Sequence, residues 1–181
     1  MARRNPEQQD ELRRVYRTHV RAVYAFFAYS VSADLAEDLT ATTFERVIKS
    51  WDRFDPSRAS ERTWILAIAR NALTDHFRRA RHRNAVSLDE HPALVDRLAA
   101  ADDPIARHLA AQGFADWLRH LSAREQEILA LRFGADLSAA DIAGLTDHSE
   151  ANVHQITSRA LRRLREIAEG ERVSGSDAQD G

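Results

Sequence analysis

No segment of this chain alternates apolar and polar residues over the length of a strand between turn signals. Apolar residues recur instead at spacings of three and four, from Leu12 near the start to Leu164 near the end. Only six glycines and four prolines interrupt 181 residues, so the backbone has few places to break a helix. The chain therefore reads as all-α. Apolar residues at 44% and charged residues at 30% give it enough material for a folded core, in one ordinary domain or two small helical ones.

The absence of cysteine excludes disulfides and thiolate metal sites. No apolar run is long enough to span a bilayer, and the start MARRNPEQQDELRR lacks the apolar stretch of a signal peptide, so a cytoplasmic protein is expected. The eight histidines are scattered; no HExxH, glycine-rich phosphate loop or nucleophile motif accompanies them. No catalytic residue, metal site or cofactor is expected, and the chain is not read as an enzyme.

The net charge of −2 conceals an uneven distribution. Residues 11–83 carry 14 Lys/Arg against 9 Asp/Glu, whereas residues 84–112 carry 2 against 5. Residues 113–169 carry 7 against 9. A basic first part thus meets an acidic joining segment.

Helix punctuation divides the chain further. A first helix from about Glu7 to Tyr29 carries the stripe Leu12, Val15, Tyr16, Val20, Val23, Tyr24 and Phe27. Ser32 is placed to cap a second, over about 33–50, with Phe44, Val47, Ile48 and Trp51 on one face. Phe54-Asp55-Pro56-Ser57 reads as a turn, because proline disfavours helical geometry in the residue before it. A third helix, about 59–85, is apolar through Trp64–Ala69 and then strongly basic: six of the eight residues from His76 to Arg83 are His or Arg.

Residues 86–112 read as a linker with acids Asp89, Glu90, Asp96, Asp102 and Asp103. Ser122-Ala-Arg-Glu125 and Ser138-Ala-Ala-Asp141 have capping-box spacing, the first opening a helix with Ile128, Leu129, Leu131 and Phe133 that Gly134 ends. Ser149 is placed to cap a last helix to about Glu169, with the ladder Val153, Ile156, Ala160, Leu161 and Leu164. A short helix, a tight turn and a longer helix describe a helix-turn-helix. Residues 170–181 read as a polar, disordered tail.

In order and spacing, several of these pieces resemble the extracytoplasmic-function (ECF) sigma factors of the bacterial sigma-70 family. The first half carries Ala36-Glu-Asp-Leu-Thr40 with Thr43-Phe44, Phe54-Asp55, Arg62-Thr-Trp64, Ile68-Ala-Arg-Asn71 and Asp75-His-Phe-Arg-Arg79. The second carries Leu121-Ser122, Arg124-Glu125, Leu131-Arg-Phe133, Asp141-Ile-Ala143 and Arg159-Ala-Leu-Arg-Arg-Leu-Arg165. The resemblance implies two small helical domains. Residues 1–85 would be a region 2 domain and 113–169 a region 4 helix-turn-helix domain, joined by the flexible acidic linker 86–112.

It also implies a function: an alternative sigma factor that binds core RNA polymerase through the β′ clamp helices and β flap and directs transcription from specific promoters. Glu37, Asp38, Leu39, Thr40, Thr43 and Phe44 match the family's polymerase-docking surface. Arg53, Phe54, Asp55, Arg58, Thr63, Trp64, Arg70, Asn71, His76, Arg78 and Arg79 fall where the family captures the melted −10 element. Such capture needs what these residue types offer: aromatic faces for stacking, polar groups for base edges and cations for phosphates.

Ser149, Glu150, Asn152, His154, Gln155, Thr157, Ser158 and Arg159 match the −35 recognition helix, with Arg162 and Arg163 toward phosphate. His154 and Ile156 depart from the family pattern, which often has Lys or Arg at both positions, leaving fewer cations at the groove end. The family also implies control by an anti-sigma factor, with the acidic linker threading toward the RNA exit path; its acidity could restrain the basic face of the first domain. A sigma-like decoy that binds a sigma regulator without directing transcription is the alternative. The aromatic loop and the arginine-rich helix argue against it, since a decoy needs neither.

Overall fold

The structure is a computed structural model that describes residues 5–83 and 114–176. The described residues form helices joined by short turns, with no strand among them. Three long elements make up the first half: α1 (Pro6–Ala28), α2 (Ala33–Ser50) and α3 (Glu61–Arg83). The second half comprises α4 (Phe114–Arg119), α5 (Ala123–Leu129), α6 (Ala139–Leu145) and α7 (Glu150–Ser176). The expected linker, residues 86–112, lies outside the described residues.

Local chemistry sets the boundaries. Asn5 accepts a hydrogen bond from the Gln8 amide at 3.1 Å and Pro6 occupies the first turn of α1, where its missing N–H costs nothing. Ser32 stands at the N-cap of α2, but its side chain makes no capping bond. Asp55 Oδ1 accepts from both the amide and the hydroxyl of Ser57, tightening the turn before α3. Both Ser-x-x-acid spacings form true capping boxes, Ser122 with Glu125 and Ser138 with Asp141.

Several expected stripes are rotated or interrupted. In α1 the buried residues are Val15, His19, Val23, Phe26 and Phe27, whereas Tyr16 is 49% exposed. Ile48 of α2 and Leu161 of α7 also face outward, since only part of each apolar face meets a neighbour. The helix opened at Ser122 does not continue regularly to Gly134. It widens into a π turn over Ala130–Gly134, closed by the Ala135 amide donating to the Ala130 carbonyl, and this rotates Phe133 outward. Helix α7 runs to Ser176, into the segment expected to be a disordered tail; residues 177–181 lie outside the described residues.

The largest core is continuous across both halves. It joins Val15, Val23, Phe26 and Phe27 of α1, Phe44 and Val47 of α2, and Ile65, Leu66 and Ala69 of α3 to Ile128, Leu131, Leu137, Ile142 and Val153 of the second half. A smaller cluster of Leu118, Leu121, Leu129, Ala160 and Leu164 sits beneath Tyr29 and Trp117. Burial raises the Tyr29 phenol above its usual pKa. Gly134 packs tightly against α1: a Cβ there would lie 3.0 Å from the Ala25 carbonyl oxygen and 3.2 Å from the Tyr29 ring.

Candidate functional site

The six residues expected to dock polymerase divide sharply. Glu37 and Asp38 are exposed on α2, whereas Leu39, Thr40, Thr43 and Phe44 are buried beneath them. Thr40 and Thr43 donate their hydroxyls to the Ala36 and Leu39 carbonyls, and Phe44 packs edge-on against Tyr16 with ring centroids 4.8 Å apart. In this arrangement these four side chains are turned into the core, and Glu37 and Asp38 are the exposed members of the group. Tyr16 in turn borders a shallow groove with Leu12, Ile48 and the arginines 13 and 17.

The aromatic loop is a compact cluster. The Trp51–Phe54, Phe54–Trp64 and Trp51–Trp64 centroids are 5.2, 5.4 and 5.9 Å apart. Trp51 is buried and carries the other two, which keep part of their surface in solvent. This ring packing adds to the backbone bonds from the Phe54 amide to Trp51 and from the Arg58 amide to Asp55 in fixing the loop. Around it Arg53, Asp55 and Arg58 are exposed, and the two hydrogen bonds from Ser57 hold the Asp55 carboxyl below its usual pKa.

Ser60, which no sequence motif signals, starts α3. Its Oγ accepts from the Thr63 amide at 3.1 Å and pairs with the Thr63 hydroxyl at 2.8 Å. Behind this start lies an ion-pair cluster. Arg14 binds the Glu61 carboxylate through two nitrogens at 2.6 and 3.1 Å, and His19 Nε2 lies 3.1 Å from the same group. The Arg14 guanidinium, with help from His19, holds Glu61 below the usual carboxylate range despite partial burial. The cluster joins α1 to α3 and so orients the face that carries Thr63 and Trp64.

Farther along α3, Asn71, Arg78 and Arg79 are exposed and His76 is half-buried. Asp75 binds both Arg46 and Arg78, at 3.3 and 3.2 Å, tying the basic end to α2. Arg70 is the exception on this face: its Nε donates to Glu127 of α5 at 2.7 Å. Arg62 reaches the carbonyl and carboxylate of Asp136, both at 3.3 Å, and the Thr63 hydroxyl reaches Asp141 at 3.4 Å. Asp136 has φ 52°, a left-handed conformation that Asp tolerates better than most residues. These partners lie 57 to 78 positions away in sequence, and no local pattern signals them.

In the helix-turn-helix, the Ser149 hydroxyl caps α7 through the Asn152 amide at 3.2 Å. Ser149, Glu150, His154, Gln155, Ser158, Arg159, Arg162 and Arg163 are exposed; Asn152 and Thr157 are half-buried. Ile156 is 9% exposed and belongs to the core, so it offers nothing to a ligand. His154 lies 3.8 Å from Glu150. Arg163 reaches Glu125 at 3.3 Å. Burial alone would raise Glu125, but hydrogen bonds from Ser122 and the nearby Arg163 and Arg159 charges hold it below the usual range. Among the described residues no group of three His, Asp or Glu side chains is arranged to hold a metal ion, and no helix is long and apolar enough to cross a membrane.

The element order, the aromatic loop and the capped helix-turn-helix define a two-part helical protein of the sigma type. Residues 15–83 match the sigma-70 region 2 family model and residues 117–166 the sigma-70 region 4 model. The chain is 33% identical to the ECF RNA polymerase sigma factor SigC of Mycobacterium tuberculosis over 159 residues, covering 84% of this chain and 80% of that protein. It is 30% identical over 158 residues to the ECF RNA polymerase sigma factor BldN of Streptomyces coelicolor, covering 87% of this chain but only 60% of the longer relative. Among solved structures, the sigma factor RpoE of Bartonella quintana in complex with the anti-sigma factor NepR superposes with a TM-score of 0.68 at 24% identity, over 88% of this chain and 97% of that one. CnrH in complex with the cytosolic domain of CnrY gives a TM-score of 0.62 at 19% identity, over 90% of each chain. The chain belongs to the sigma-70 family, within its ECF group.

Proposed function

We propose that this protein is an alternative sigma factor: it binds core RNA polymerase and directs initiation at promoters recognised through −10 and −35 elements. The observation that carries the reading is the pairing of an exposed acidic helix face, Glu37 and Asp38, with a separate aromatic and basic face built from Phe54, Trp64, Arg53, Arg58, Asn71, Arg78 and Arg79. A carboxylate pair on an ordered helix suits charge-assisted pairing with basic side chains of the β′ clamp helices. The aromatic face suits bases extruded from a melted strand, with arginines placed for phosphate.

The exposed start of α7, with Gln155, Ser158 and Arg159, is the part that enters the −35 major groove, while Arg162 and Arg163 approach phosphate. The β flap is the second polymerase contact. The protein acts in the cytoplasm, where polymerase and promoter are, and carries no reaction of its own. One of its structural neighbours is a sigma factor in complex with an anti-sigma factor, which supports control of this chain by a protein of that class.

Titration of labelled full-length protein against sigma-free bacterial core polymerase tests the reading. Tight binding weakened about tenfold or more by Asp38→Ala is expected, consistent with loss of an exposed charge pair at an interface. Folded protein, free of any inhibitor, that does not bind core polymerase would overturn it and favour the decoy.

A further inference from the structure

Helix α7 turns by about 100° per residue, so its buried ladder fixes which side chains face away from the protein. Val153, Ile156, Ala160 and Leu164 are at most 9% exposed and point inward together. On the opposite side, at intervals of four, three and four, stand Ala151, Gln155, Ser158 and Arg162, all exposed. Several polar neighbours are engaged within the protein. The Thr157 hydroxyl donates to the Val153 carbonyl at 2.8 Å, His154 lies 3.8 Å from Glu150, and Arg162 lies 4.0 Å from Glu166. Gln155 makes no hydrogen bond among the described residues. It sits in the second turn, within the N-terminal stretch through which a recognition helix reaches base edges. On the outward row Ala151 offers a methyl group, Ser158 a hydroxyl that suits either sign, and Arg162 donors only. The Gln155 amide presents a donor and an acceptor side by side.

Taking the sigma reading as its basis, we propose that Gln155 is the specificity-determining residue of the −35 helix and that its side-chain amide reads one adenine in the major groove. Oε1 accepts from the adenine N6 amino group while Nε2 donates to N7. The amide is carried on a fixed support, since Ser149 caps the first turn and the buried ladder sets the rotation of the helix. The exposed arginines around it, Arg159, Arg162 and Arg163, suit phosphate, which is alike at every base step and sets register without reading sequence. Readout by a neutral amide has a distinctive consequence. Raising salt weakens binding as a whole but leaves the ratio between adenine and the other bases unchanged. A guanidinium in place of the amide redirects the same position to guanine, whose O6 and N7 both accept.

The test lets the full-length protein, both free and assembled with core polymerase, select from a library of randomised DNA duplexes. Gln155→Ala and Gln155→Arg are taken through the same selection. The recovered duplex and its single-base substitutions at the position that changes between variants are then titrated at low and at high salt. The parent is expected to prefer adenine there about tenfold at both salt concentrations, and Gln155→Ala to bring the four bases within about twofold of one another. Gln155→Arg should prefer guanine, and preferences at the other positions should stay as in the parent. The melting midpoint followed by circular dichroism should match in all three proteins, because an exposed side chain without partners supports no fold. The assignment is overturned if Gln155→Ala keeps every preference of the parent, if the relaxed position is not adenine, or if the preference fades with salt as the affinity does. It is equally overturned if Gln155→Ala lowers the melting midpoint, which would make the residue structural, or if the parent selects no motif in either form. A free chain that selects the adenine-containing duplex but never binds core polymerase removes the sigma reading and leaves the Gln155 assignment standing. A holoenzyme that forms normally while Gln155→Ala selects the parental motif removes the assignment alone, so the two failures are distinguishable.

Discussion

Arg70 Nε lies 2.7 Å from Glu127 Oε1, and this bond ties the basic helix of the first half to the first capped helix of the second. Both side chains are about one-third exposed or less, at 32% and 26%, so the pair is shielded from solvent more than an ordinary surface bridge. Its position is informative because Arg70 lies on the face where a melted strand would be captured. Removing one partner leaves the other as a partly buried, unpaired charge.

The Arg14–His19–Glu61 cluster makes stability depend on pH with a definite sign. Glu61 titrates below its unfolded value, so its stabilisation is present above the ordinary carboxylate pKa and is lost as pH falls through the lowered folded value. Glu61→Gln should cost about 1–2 kcal/mol at neutral pH. Urea unfolding of both proteins at neutral and at progressively more acidic pH should show the gap between them closing; a constant gap would mean that the carboxylate charge contributes nothing.

Thr43 is fully buried and its hydroxyl donates to the Leu39 carbonyl within α2. Thr43→Val replaces that group with one of similar shape, and the helix carbonyl keeps its backbone bond. Stability should change by less than about 1 kcal/mol, and core polymerase affinity should match the parent. An affinity loss comparable to that of Asp38→Ala would show that Thr43 touches the polymerase directly.

Arg78 and Arg79 lie at the exposed basic end of α3, two turns beyond Arg70 and its bond to Glu127. Alanine at both should weaken single-stranded DNA binding irrespective of sequence. The slope of log affinity against log salt should shrink by about 0.7 for each phosphate that the variant no longer neutralises. Weaker binding with an unchanged slope would place both arginines outside the phosphate path.

Ser138 Oγ accepts from the Asp141 amide at 3.1 Å, and the Ser138 amide donates to the Asp141 carboxylate in return. Ser138→Ala should destabilise the protein by about 1 kcal/mol through the start of α6. Thermal unfolding followed by circular dichroism measures this. No change in midpoint would mean that solvent replaces the cap at no cost.

The all-helical class, the two capping boxes and the helix-turn-helix were legible in the sequence because each is encoded by residues close to one another along the chain. The aromatic loop was legible for the same reason: Trp51, Phe54 and the proline after Asp55 are near neighbours. Helix ends that depend on distant packing were not. The π turn at Ala130–Gly134 packs against α1, and Gly134, which does end the helical segment as its sequence suggests, also sits where a Cβ would press on the Ala25 carbonyl oxygen at 3.0 Å.

Tyr16, Ile48, Phe133 and Leu161 all satisfied a helical apolar pattern and yet face outward. Periodicity identifies a stripe, but which edge of it is covered depends on where the neighbouring helix crosses. Leu39, Thr40, Thr43 and Phe44 are a related case: spacing matched them to a family surface by resemblance, and packing turns their side chains into the core. By itself the sequence determined the helices, their caps and the residue types of each surface, all of them products of local hydrogen bonding and backbone preference. Tertiary structure alone decided that Glu127, Asp136 and Asp141 meet Arg70, Arg62 and Thr63, because polar pairs between residues so far apart follow from how two apolar faces dock and not from any spacing along the chain.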